Sequence, residues 1–289
     1  MPDYPPNDSG TAGPTASGPT TAGPTTGEPS TEVVRREQLP GLEPERHITD
    51  WGRSERVEHL VDATLGHFLY HYWHRVEAEG VENVPRRGGA LLVANRAGQL
   101  RLDAALVGKT IREEHAAARP VHLAAPPALT DVPGLGMLAT KLGVVPEHPA
   151  NLLRLLDDEG QVVLVFPETR QERVKPLSSR YRLRSFDRLE FVRLAAQAGV
   201  PIVPVAILGS EEATPLLSGL GLLGRVVPLR LGIPVPLPAR FRLRFLQPVR
   251  PDRLRNGRVG SSELAEDIRG LIQENLYEMV ANRNSVWLG

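Results

Sequence analysis

The chain contains no cysteine, and only three of its 34 basic residues are lysines. The first absence excludes disulfides, thiol nucleophiles and thiolate metal sites. The second, with 27 glycines and 27 prolines, is a bias of composition that makes no single arginine notable by type. An excess of one charge is also missing: 34 acidic residues balance the 34 basic ones, so no overall field favours nucleic acid. No window holds the roughly 18 consecutive apolar residues that suggest a membrane-spanning helix. The nearest stretch, Gly219 to Pro238, is broken by Arg225, Arg230 and several prolines, and is suited at most to lying against a membrane. The start, MPDYPPNDSG, lacks the basic and apolar regions of a secretory signal. A cytoplasmic protein, soluble or in peripheral contact with the membrane, is expected.

What is present divides into a tail and a folded region. Residues 10–31 repeat Gly-Pro every five residues and offer almost nothing to bury, so residues 1–45 are expected to be a disordered tail. The folded domain is expected over 51–289, with a helical lead-in at 54–75, a core at 76–250 and a C-terminal helix at 262–281. On the lead-in, Val57, Leu60, Val61, Leu65, Phe68, Leu69 and Tyr72 form an apolar face at helical spacing. Downstream, strand and helix patterns alternate. Strands are expected at Ala90–Ala94, Val121–Ala124, Val162–Phe166, Ile202–Leu208 and Phe241–Leu246. Helices are expected at Asp103–Ala117, Gly134–Leu142, Asn151–Asp158, Asp187–Ala198 and Ser262–Ala281, the last with Leu264, Ile268, Leu271, Ile272, Leu276 and Met279 on one stripe. This alternation predicts an α/β fold with a mixed, largely parallel sheet flanked by helices. Pro201 and Pro204, inside the apolar run 200–209, mark an edge or irregular strand.

Three constellations carry chemistry. His67, His71 and His74 fall at i, i+4 and i+7, on roughly one helical face. The intervening residues are apolar or aromatic and no acid follows before Glu77, so polar ring edges on an aromatic-rich helix are favoured over a metal site, and no metal is expected. After the buried strand ending at Phe166, Pro167 and Glu168 lead into Thr169, Arg170, Arg173, Lys175, Arg180, Arg182 and Arg184. Such a cluster suits a phosphate-like anion gripped by arginine; a solvated basic loop paired with neighbouring acids is the alternative. The loop after Ala90–Ala94 offers Asn95, Arg96, Gln99, Arg101 and Asp103.

In this order, VANRAGQLRLD, VFPETR and VPIVPVAI resemble the three blocks of the glycerophosphate and lysophospholipid acyltransferase family. EGVENVPRRGGALLVAN also resembles that family's lead-in to its first block, and the resemblance spans roughly Val76 to Val249. It implies a glycerolipid acyltransferase fold and a place in phospholipid metabolism. The implied reaction moves a fatty acyl group from acyl-coenzyme A or acyl carrier protein to a lysophospholipid or glycerol-phosphate hydroxyl, without a further cofactor. In the family a histidine in the first block is the general base and an aspartate orients it, the usual logic of a base held by a carboxylate. That pattern maps the aspartate onto Asp103, and the acceptor-binding block onto Glu168, Thr169, Arg170, Lys175 and Arg180.

The departure falls on the base itself. Arg96 follows Asn95 where the family has histidine, and six residues separate it from Asp103 instead of four. Arginine stays protonated in proteins and cannot accept a hydroxyl proton. An ion pair of Arg96 with Asp103, contact of Arg96 with a ligand, and direct participation in catalysis all remain open. Thr169 stands where the second block has glycine, leaving two alignments of Arg170. The resemblance therefore supports an acyltransferase and, as an alternative, a catalytically impaired relative that binds lipid or acyl donor.

Overall fold

The computed structural model describes residues 48–95, 102–126, 134–168, 180–186, 188–213, 236–251 and 260–283. The tail expected at 1–45, Arg96, Thr169, Arg170, Lys175 and most of the 219–238 stretch lie outside the described residues.

In chain order the elements are helix α1 (Glu55–Val61), β1 (Glu77–Glu79), β2 (Ala90–Ala94), α2 (Leu102–Glu114), β3 (Val121–Ala125), α3 (Leu135–Lys141) and β4 (Val144–Pro146). There follow α4 (Pro149–Leu153), β5 (Val162–Val165), α5 (Glu190–Ala198), β6 (Ile202–Leu208), α6 (Ser210–Ala213), β7 (Arg242–Phe245) and α7 (Ser261–Ala281). The strands form a seven-stranded sheet in the order β1-β7-β6-β2-β5-β3-β4. All neighbours run parallel except β6 and β7. The sheet is therefore α/β, mixed and largely parallel, as the alternating pattern predicts.

Both faces of the sheet are covered, which is why β2, β5 and β6 read as unbroken apolar runs. Leu91, Val93, Val163, Val165, Ile202 and Ala206 pack on one side with α4, α5 and α7. Leu92, Ala94, Val162, Leu164, Val203 and Val205 pack on the other with Leu106, Val107 and Ile111 of α2 and with Tyr70. On α7, Leu271 faces outward, and Ala265 takes a place in the buried stripe.

Two expectations are corrected. Of the two alternatives for the run with Pro201 and Pro204, an edge strand is excluded and an irregular one is found: β6 is central, lying between β2 and β7. The register explains how it tolerates Pro204. Ile202 bridges Val249, whereas Val205 pairs with Phe245, so three steps along β6 match four along its partner. This extra residue is a β-bulge, and Pro204 sits within it, where no ladder hydrogen bond from its nitrogen is required.

The lead-in also departs from a simple 3.6-residue helix. After α1 the chain continues through π-helical turns at Asp62–Gly66 and Phe68–Trp73. Wider turns rotate the following residues away from α-helical register. Leu65, Phe68 and Tyr72 are exposed, as Leu60 already is within α1, while Tyr70 and His74 are buried. The lead-in is fixed to α2 by polar contacts: Glu58 pairs with Arg53 and Arg112, Lys109 Nζ lies 2.9 Å from Asp62, and the Tyr70 hydroxyl donates to Glu114 at 2.6 Å.

Three histidines are structural. His74 Nδ1 lies 2.9 Å from the Ala239 carbonyl, and His115 Nε2 lies 2.9 Å from that of Val84. His122 is buried in β3, and burial first, then the Arg53 guanidinium, pushes its pKa down from 6.5 to about 4. The unfolded chain thus binds the proton more readily than the folded one. The stability contributed by the neutral ring is complete above about pH 6.5 and declines as the pH falls toward 4, a loss on the order of 3 kcal/mol. Urea unfolding of wild type and His122→Gln between pH 7 and 4 is expected to show the steeper decline in wild type; parallel profiles would contradict this account.

Candidate active site

Strands β6, β2 and β5 are adjacent and parallel, so their carboxyl ends share one edge of the sheet. From β2 the chain crosses to β3, beyond β5; after β5 it crosses back over β2 to β6. Such a reversal opens a crevice at the carboxyl ends, the usual place for a ligand in an open α/β sheet.

Asn95 stands where β2 reaches this edge, and its side chain extends the ladder beyond the last strand pair. Its Nδ2 donates to the Ile207 carbonyl at 3.0 Å, and its Oδ1 accepts the Ile207 N–H at 2.7 Å. The carboxamide behaves as one more peptide unit and binds the end of β2 to β6. Both partners are fully buried, so neither hydrogen bond has a ready substitute.

Asp103 enters in the first turn of α2 and is buried; its Oδ1 accepts the Ala104 N–H at 3.0 Å. A carboxylate there is favoured by the unpaired amides and dipole at the start of a helix. Glu168, three residues past β5, is buried as well, and its Oε1 accepts the Arg184 backbone N–H at 2.8 Å. Glu168 therefore closes the basic loop at its base, a role that a family-based assignment to acceptor binding alone does not anticipate.

The return of that loop is held from several sides. Tyr181, at φ 59°, donates its N–H to Glu211 at 3.0 Å and its hydroxyl to Glu212. Arg283 Nη1 lies 3.0 Å from Glu212 Oε1, which makes a buried ion pair. Gln273 of α7 accepts the Leu183 N–H at 2.6 Å and donates to the Tyr181 carbonyl at 2.7 Å. Gly209, at φ 105°, turns the chain from β6 into α6; a side chain there would meet the Arg240 carbonyl, and the turn places both glutamates beside Tyr181. None of these partners was identifiable from the sequence. The only hint is that Glu211 and Glu212 follow directly on an apolar strand. Arg180, assigned to substrate binding on resemblance, is half-buried where this segment begins.

Next to Glu168, Val165 and Pro167 help to line a small open cleft, together with Leu152, Phe191, Leu194 and the Glu147–Arg188 ion pair. None of the three buried histidines serves as a base at this edge. His74 and His115 are occupied by carbonyls, and His122 lies toward the amino end of β3. Arg96, expected at the position of the base, is outside the described residues.

The acyltransferase family model matches residues 75–208. The chain belongs to the acyltransferase family. An uncharacterized protein of Mycobacterium tuberculosis is 34% identical over 271 residues, which cover 88% of this chain and 74% of that one. One from Mycobacterium leprae is 32% identical over 274 residues, covering 88% and 72%. Among solved structures, the 1-acyl-sn-glycerophosphate acyltransferase of Thermotoga maritima has the same fold, with a TM-score of 0.52 at 20% identity over 73% of this chain and 74% of that one. The matched region runs from the end of the lead-in to the last residue of β6 and so includes β2, β5 and β6, Asp103 and Glu168.

The Asn95 clamp gives a direct prediction. Asn95→Ala strips the Ile207 N–H and carbonyl of their partners and is expected to cost about 1–3 kcal/mol in denaturant unfolding. An unchanged unfolding midpoint would show that β2 and β6 are held together without it.

Proposed function

We propose that this protein transfers a fatty acyl group from a thioester donor, acyl-coenzyme A or acyl carrier protein, to a hydroxyl of a glycerol-phosphate or lysophospholipid acceptor. The observation that supports this reading is that two buried carboxylates, Asp103 and Glu168, follow the adjacent parallel strands β2 and β5 of an acyltransferase-family sheet. The reaction requires the acceptor hydroxyl to lose its proton as its oxygen attacks the thioester carbonyl, with the thiol as leaving group. The basic segment after Glu168 supplies guanidinium groups suited to an acceptor phosphate. Asp103 is the carboxylate that ends the first block and acts on whichever group or water takes the proton.

Peripheral contact with the cytoplasmic face of a membrane belongs to the same reading. It is supported by exposed Leu60, Leu65, Phe68 and Tyr72 on the lead-in and by exposed Leu135, Met137 and Leu138 on α3. Among the described residues no helix is long and apolar enough to cross a membrane.

A second reading is favoured by one residue. Arg96 cannot act as the base, and losing a general base costs about 10²- to 10⁴-fold in rate. A protein with this site could bind acyl donor and lipid without turnover.

Transfer from labelled acyl-coenzyme A and acyl carrier protein to a panel of lysophospholipids and glycerol phosphate separates the two. Turnover by wild type, lost by about 10²-fold or more in Asp103→Ala, is the result expected of an enzyme. Silence in wild type with activity gained in Arg96→His would establish the binding protein instead. Silence in both would remove the support for acyl transfer.

A further inference from the structure

The acyl-transfer reading leaves the exposed histidines of the lead-in unused. His67 and His71 lie with ring centroids 4.5 Å apart on the outer side of the π-helical segment. Sequence spacing suggests His74 as their companion, but His74 is buried and bound to the Ala239 carbonyl. The third group comes from another helix. Glu113, in the last turn of α2, brings Oε2 to 3.2 Å from His71 Nε2, and one ligand atom from each of His67, His71 and Glu113 lies within 4.8 Å of the other two.

An imidazole lone pair and a carboxylate oxygen are both electron-pair donors, so their approach needs a hydrogen or a metal ion between them. The first is the ring N–H, which the neutral tautomer already carries and which makes an ordinary hydrogen bond; the second is a bound metal. A proton serves a single pair, whereas three donors converging from two helices match the coordination of a metal. Two histidines and one carboxylate, with a fourth position open to water, form a donor set that suits zinc.

Lys109 strengthens the case. It is almost fully buried, and its Nζ lies 2.7 Å from the other oxygen of Glu113, Oε1, and 2.9 Å from Asp62. It holds the carboxylate in orientation as an outer partner does at metal sites, while Asp62 balances its charge.

We infer that His67, His71 and Glu113 form a site for a divalent transition-metal ion of the zinc type, clasping the lead-in to the end of α2. Zinc–ligand bonds of about 2.0–2.1 Å place tetrahedral neighbours about 3.4 Å apart, so small rotations of these exposed side chains close the site. The inference does not depend on acyl transfer.

The test uses the untagged full-length chain, titrated with Zn²⁺ by calorimetry and with Co²⁺ by visible absorption, which reports tetrahedral coordination. One ion per chain is expected, bound at least about tenfold more weakly in His71→Ala and in Glu113→Gln. His59→Ala removes an exposed histidine of the same segment outside the cluster and is expected to bind as wild type does. Circular dichroism verifies that the variants are folded. Zn²⁺ uptake by a His67→Ala/His71→Ala double variant equal to that of wild type would overturn the assignment, as would the absence of any ion bound by wild type.

Discussion

The carboxyl edge of the sheet depends on one side chain that performs no chemistry. Through both hydrogen bonds of Ile207, Asn95 carries the β2–β6 pairing past the end of its backbone ladder. Beyond it the chain leaves for α2 and Asp103, and beside it β5 delivers Glu168. Without that clamp the end of β2 would splay, and the residues that follow would lose the fixed origin that sets their distance from the loop after β5. Positioning of this kind is worth large factors in rate where a hydroxyl must meet a thioester carbonyl in one geometry.

Glu168 shows how position constrains role. A buried carboxylate that accepts the Arg184 backbone N–H joins the residues on either side of the segment 169–179. Tyr181, Glu212, Gln273 and Arg283 fix its return, drawing on α6 and α7. The anion-binding chemistry expected of the loop thus rests on contacts contributed from about 100 residues away in the chain. A buried pair such as Glu212–Arg283 adds little net stability, but losing either partner leaves an uncompensated charge, and this makes the arrangement specific.

Much of the framework is legible in the sequence because burial on both faces writes itself as continuous apolar runs. The strands expected at Ala90–Ala94 and Ile202–Leu208 have those same bounds in the structure, and α7 begins within one residue of its expected start. The three-residue strands β1 and β4 are too short to show a period and were not expected. The lead-in misled because π turns break the 3.6-residue repeat on which its apolar face was drawn. Of the expected site residues, Asp103 and Glu168 stand at the carboxyl edge; Arg96, Thr169, Arg170 and Lys175 lie outside the described residues. The Tyr181 network and the approach of Glu113 to His71 were invisible for one reason: each joins residues far apart in sequence, and only the folded chain brings them together.

The central claim is that the donor and acceptor meet at the carboxyl ends of β2, β5 and β6. Hydrogen–deuterium exchange of the full chain with and without a non-transferable thioether analogue of acyl-coenzyme A tests this independently of turnover. Ligand-dependent protection is expected to concentrate in peptides spanning 95–106 and 166–186. Protection confined to other parts of the sheet, or none at saturating analogue, would contradict it.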